Sequence, residues 1–193
     1  MTKPFQIAVF ASGSGTNAER IIRYFQHHPS ISVSALLSNN PHAYALQRAK
    51  NLNVETKLFD KLEFKEGTDL LAYLDGKKIT HIVLAGFLWL IPDYLIRHFP
   101  DRIINIHPAL LPKYGGKGMY GLKVHEAVKT AGDKESGITI HLVNEKYDEG
   151  KILFQAKCEI SAGLSPEEIA GCIHQLEYEH YPKVIENWIL KNS

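Results

Sequence analysis

Between residues 5 and 107 the chain alternates short apolar runs with amphipathic stretches, and this alternation constrains its fold more than any other feature. Phe5–Ala11, Val33–Ser38, His81–Gly86 and Ile103–His107 are short, apolar and rich in β-branched residues, so they read as strands. Asn17–His28, His42–Asn51 and Leu62–Asp75 lie between them with helical spacing of apolar positions. Strands separated by helices are joined by crossovers, which predicts a mostly parallel sheet. After Pro108 the pattern changes to a Gly-rich loop and a helix over Leu122–Thr130. Two strand-like runs follow, Gly137–Val143 and Ile152–Ile160, around the turn-rich Asn144–Gly150. Ser165-Pro-Glu-Glu supplies an N-cap, a proline at the first helical position and acid in the first turn, opening a long helix to about Leu190.

These elements predict an α/β fold: a Rossmann-like open sheet with helices on both faces, extended by an antiparallel pair and closed by a long C-terminal helix. No repeat or linker interrupts residues 1–193, so we expect one domain. The 22 Lys and Arg against 21 Asp and Glu leave a formal charge of +1, which provides no global field for nucleic acid or an anionic membrane. An anionic ligand must therefore be held by a local site. No apolar run approaches the ~20 residues of a membrane-spanning helix and none resembles a signal segment, so a cytoplasmic protein is expected. Cys158 and Cys172 form no CxxC or zinc spacing; neither disulfide nor metal is expected, and both read as small buried hydrophobes.

The chemistry concentrates in a few places. In Ile103-Ile-Asn-Ile-His107, Asn105 and His107 stand two apart and project from one face of an extended chain, while Ile104 and Ile106 project from the other. A carboxamide beside an imidazole suits a reaction in which charge develops on a carbonyl oxygen, because both can donate to it. Pro108 lacks an N–H, which places the pair at the carboxyl edge of the strand. Asp148 is either a turn residue or a carboxylate over the same edge, where it would raise the imidazole pKa and favour the protonated ring. Ser12-Gly-Ser-Gly-Thr-Asn17-Ala18 joins the first strand to a helix. Its glycines either make a tight βα turn capped by Thr16 or Asn17, or cradle a phosphate with Gly15, Thr16 and Asn17 as donors. Gly13, Gly15 and Ala18 loosely match a dinucleotide fingerprint, but Ser38-Asn39-Asn40 supplies no acid for a ribose diol, which favours a phosphate monoester.

Asn105-Ile-His-Pro-Ala-Leu-Leu-Pro112-Lys-Tyr, the Gly137–Leu153 stretch with Asp148, and Ala11-Ser-Gly-Ser-Gly-Thr-Asn17 together resemble the folate-dependent formyltransferases over nearly the whole chain. The resemblance implies transfer of a formyl group from the co-substrate 10-formyltetrahydrofolate to the amino group of glycinamide ribonucleotide (GAR), a step of purine biosynthesis needing no metal. It implies Asn105, His107 and Asp148 as the catalytic group, and Gly15, Thr16, Asn17 and Glu177 as substrate-binding residues. Folate would be held by Leu88, Trp89, Ile91, Glu145 and Tyr147, and the enzyme would act as a monomer or homodimer without nucleic acid or membrane. Glu177 has a competing reading as a solvated acid on a helix face, and Trp89, standing where a basic residue is familiar, as a core or lid aromatic. Lys113–Gly121 reads either as a flap whose Lys117 approaches an anion or as a surface loop, and the resemblance favours a cis Leu111–Pro112 bond. A formyltetrahydrofolate deformylase-like hydrolase and a non-catalytic phosphate- or folate-binding module are the alternatives. Relatives of the first carry an added N-terminal domain, whereas this chain begins at the first strand.

Overall fold

In a computed structural model, which describes residues 4–191, the chain forms a seven-stranded sheet in the order β3-β2-β1-β4-β5-β6-β7. β1 (Phe5–Phe10), β2 (Ile31–Ser38), β3 (Glu55–Leu58), β4 (His81–Leu84) and β5 (Ile103–His107) run parallel. β6 (Glu135–Leu142) and β7 (Ile152–Glu159) add an antiparallel edge, with Asn105 opposite His141 and His107 opposite Thr139. The helices are α1 (Thr16–Phe25), α2 (Tyr44–Asn51), α3 (Lys61–Glu66), α4 (Thr68–Gly76), α5 (Asp93–His98), α6 (Leu122–Ala131) and α7 (Pro166–Lys191).

Strand alternation builds two cores. On β1, Ile7 and Val9 face a cluster with Ile21, Phe25 and the α7 residues Ile173, Tyr181 and Ile185, while Ala8 and Phe10 face Phe59, Leu70, Leu74 and Leu95. From β1 the chain winds outward through β2 and β3, then returns to β4 on the other side. The crevice beyond the carboxyl ends of β1 and β4 is therefore the topological switch point, where ligands of open α/β sheets bind.

Several boundaries differ from the sequence reading. β3 and α5 were not expected; β3 is a short edge strand whose Glu55, Thr56, Lys57 and Leu58 are at best half-buried, so it shows no apolar run. The helix expected over Leu62–Asp75 divides at Gly67, whose φ of 82° ends α3 and opens α4. A side chain there would strike the ring of Tyr94. Cys172 is exposed and Cys158 only half-buried, so the expectation of buried cysteines fails. The cap expected at Ser165 is present as a reciprocal pair: Glu168 N donates to Ser165 Oγ at 3.1 Å and Ser165 N to Glu168 Oε2 at 2.7 Å.

Candidate active site

A cleft of about 600 Å³ opens at the switch point. Its walls include Ser12–Asn17, residues 84–91, Asn105–Pro108, residues 116–121, Tyr147, Asp148 and Glu177.

The catalytic candidates meet because three elements end together. Asn105 and His107 leave the same face of β5, and the β6–β7 loop returns Asp148 over them with a φ of 57°. Gly150 permits that return: a Cβ there would lie 1.6 Å from the Leu142 carbonyl oxygen. Asp148 Oδ2 lies 3.4 Å from His107 Nδ1, and its Oδ1 lies 3.5 Å from Asn105 Nδ2 and 3.6 Å from His141 Nε2. His141 Nδ1 is 2.8 Å from the Leu142 carbonyl, which can only accept, so this nitrogen carries the proton. In the neutral ring, Nε2 then accepts from Asn105 Nδ2 at 3.2 Å. His141 has no role in the sequence analysis; its place opposite Asn105 comes from the β5–β6 register, which only the fold supplies.

The Gly-rich loop is tied to the same group. His107 Nε2 donates to the Tyr114 carbonyl at 2.8 Å, and Gly116 N donates to Asp148 Oδ2 at 2.9 Å. Behind the loop, Lys113 and Tyr114 both hold Asp133. Lys117 lines the cleft and is exposed. The Leu111–Pro112 bond is cis.

Burial corrects one expectation. It draws the His107 pKa below its ordinary value, although the Asp148 carboxylate and the Tyr114 carbonyl both work to raise it. A nearby carboxylate alone would give the opposite sign; His107 is 4% exposed, and desolvation wins. For Asp148, burial opposes ionisation, but His141, His107 and the Gly116 N–H outweigh it and hold the carboxyl below its usual range.

The loop between β1 and α1 lines the same cleft. Gly15 has a φ of 74°, and a Cβ on it would lie 2.4 Å from the Cβ of Ala45. Among the described residues, the N–H groups of residues 13–17 find no acceptor and head a ten-residue helix, an arrangement suited to an anion. Asn17 does not cap the helix; its Nδ2 donates to Glu177 Oε2 at 2.8 Å. Glu177 is 6% exposed, which rules out a solvated acid, and burial raises its pKa to about 7 against the opposing Asn17 bond.

The apolar wall is formed by Leu88, Trp89, Leu90, Ile91 and Val143. Trp89 packs against Phe59, Phe64 and Phe87 with ring centroids 5.4–6.3 Å apart, and one side of it reaches the cleft. Tyr147 also lines the cleft; Glu145 is exposed and stands outside its wall. Ser12, not singled out from sequence, joins the two halves by donating to Asn39 Oδ1 at 2.7 Å and accepting from Leu88 N at 3.2 Å.

Residues 5–185 match the family model described as formyl transferase. The chain belongs to this family. A formyl transferase relative, the phosphoribosylglycinamide formyltransferase of Haemophilus influenzae, is 37% identical over 94% of this chain and 85% of its own. The chloroplastic enzyme of the same name from Arabidopsis thaliana is 38% identical over 93% of this chain. This chain spans 64% of that relative's length and 60% of the one from Vigna unguiculata. Among solved formyl transferase structures, the phosphoribosylglycinamide formyltransferase from Bacillus halodurans superimposes with a TM-score of 0.87 at 31% identity, covering 97% of each chain.

Proposed function

We propose that this protein, acting as one domain, transfers the formyl group of 10-formyltetrahydrofolate to the amino group of GAR. The observation that carries this reading is the meeting of Asn105, His107 and Asp148 in one cleft whose walls also include an N–H-rich loop and an apolar surface, which offers a phosphate, a reacting centre and a flat heterocycle their chemistry. The names of the formyl transferase relatives support it. The folate ring system would lie against Leu88, Trp89, Ile91 and Tyr147; Glu145, outside the wall, is left for the exposed part of the co-substrate.

Formyl transfer joins the GAR amine nitrogen to the formyl carbon and breaks that carbon's bond to folate N10. Charge collects on the formyl oxygen between these events. Asn105 Nδ2 has one N–H well placed on His141; the other, only weakly held by Asp148 at 3.5 Å, is the one offered to that oxygen. His107 can add a second donor when Nε2 leaves the Tyr114 carbonyl, which links the imidazole to the position of the Gly-rich loop. Asp148, held ionised, accepts the proton lost by the attacking nitrogen and returns it to N10, directly or through water. The loop at Gly15, Thr16 and Asn17 binds the GAR phosphate, and Glu177 accepts from the sugar.

Tetrahydrofolate release from 10-formyltetrahydrofolate should require GAR. Release at the same rate without GAR would replace transfer by the deformylase-like hydrolysis, and no release under either condition would leave a binding module.

A further inference from the structure

In the loop between β1 and α1 the carbonyls of residues 12–15 are all engaged, three of them by the segment 40–48. Ser12 O accepts from Asn40 Nδ2 at 3.0 Å, Gly13 O from Ala45 N at 3.1 Å, Ser14 O from Arg48 Nε at 2.9 Å and Gly15 O from Glu19 N at 2.9 Å. A trans peptide points its N–H opposite to its C=O. Fastening the first three carbonyls to the 40–48 segment therefore turns the next N–H groups, of Gly13, Ser14 and Gly15, away from that segment, while Gly15 O is taken by the first turn of α1; the N–H groups of residues 13–16 are without an acceptor among the described residues.

Of the four fastenings, that of Ser14 is the one made by a charged side chain. Arg48, on α2, also bonds Glu19 on α1, and its guanidinium lies 4.9 Å from the centre of the Tyr44 ring. It is thus a fork between the loop and the helix that the loop opens. The peptide it holds precedes Gly15, and a peptide before a positive-φ glycine can rotate at little steric cost. Released, the Ser14–Gly15 peptide could turn its carbonyl toward the anion.

We propose that Arg48 is a positioning residue for the phosphate of the amine substrate, acting through the Ser14 carbonyl without touching the reacting atoms. This rests on the proposed function. The test uses Arg48→Ala and Arg48→Lys in the full chain, measuring KM for GAR, KM for 10-formyltetrahydrofolate and kcat, together with calorimetric titration of ribose 5-phosphate and a thermal melt. Arg48→Ala should raise the GAR KM and the ribose 5-phosphate Kd by about tenfold, the loss of one charged hydrogen bond's positioning effect. Both kcat and the folate KM should stay within about twofold. Lysine keeps the charge but lacks the fork, so Arg48→Lys should recover less than half of the loss on a logarithmic scale. An unchanged ribose 5-phosphate Kd in folded Arg48→Ala, equal rises in both KM values, or full rescue by lysine would each overturn the proposal. If the wild type binds ribose 5-phosphate but does not formylate GAR, the functional reading fails while the titration still decides the role of Arg48.

Discussion

Asn105 Nδ2 faces one good acceptor and one poor one, so one of its N–H groups is only weakly engaged, which the proposed transfer would use as an oxyanion donor. Replacing Asn105 with alanine should lower kcat by ~10²-fold or more in a protein that melts like wild type, as loss of an oxyanion donor does; near-normal turnover would remove it from the mechanism. Asp148 supplies the largest of the effects that raise the His107 pKa, so Asp148→Asn should move the His107 titration further down in an NMR experiment. An unchanged titration alongside a large rate loss would confine Asp148 to proton movement. Glu177 adds a pH dependence of stability. Its folded pKa of about 7 exceeds the ordinary 4.5, so the native state holds the proton longer than the unfolded state. Stability consequently falls as pH rises through this window, by up to a few kcal/mol. Glu177→Gln should therefore melt higher than wild type at pH 8, with little difference near pH 4.5, while raising the GAR KM. Identical melting differences at both pH values would contradict burial of the carboxylate.

At the scale of elements, short-range pattern and close contact divide the work. The period of two in β5 put Asn105 and His107 on one face, and the Ser165-Pro-Glu-Glu signal located the start of α7; both follow from local stereochemistry and were legible in the sequence. β3 was not legible, because its residues show no apolar run and its strand character comes from pairing along β2. The β6–β7 loop is the element on which Asp148 depends. Gly150→Ala would drive a methyl group into the Leu142 carbonyl, so the loop must shift at a cost of roughly 1–3 kcal/mol. We expect a melting point lower by about 3–10 °C and a fall in kcat comparable to that of Asp148→Asn. Wild-type values of both would show that the loop relaxes without displacing the carboxylate.

For the whole molecule, α7 connects the distant parts of the cleft to the sheet. Tyr181, fully buried, donates its hydroxyl to the Leu84 carbonyl at 2.8 Å, at the end of β4 and next to Asn105 of β5. One turn earlier, Glu177 meets Asn17 across 160 residues of sequence. Tyr181→Phe leaves the Leu84 carbonyl buried without this donor and should cost about 1–3 kcal/mol in denaturant unfolding. Because the same helix carries Glu177, the GAR KM should rise more than the folate KM; a stability loss with both KM values unchanged would separate the anchor from the site.

The sequence by itself determined the properties that depend on near neighbours: the alternation of strands and helices, the paired faces of Asn105 and His107, the turn at the first glycine loop and the cap of α7. The family resemblance added which distant residues belong together. Tertiary structure alone decided the strand order that opens the cleft between β1 and β4, the conversion of Glu177 from a helix-face acid to a buried partner of Asn17, and the net direction of the His107 pKa. The physical reason is range. Dihedral preference and side-chain period act over a few residues, whereas burial and solvation depend on everything packed around a group, and for His107 that surrounding matter reverses the sign its nearest carboxylate would impose.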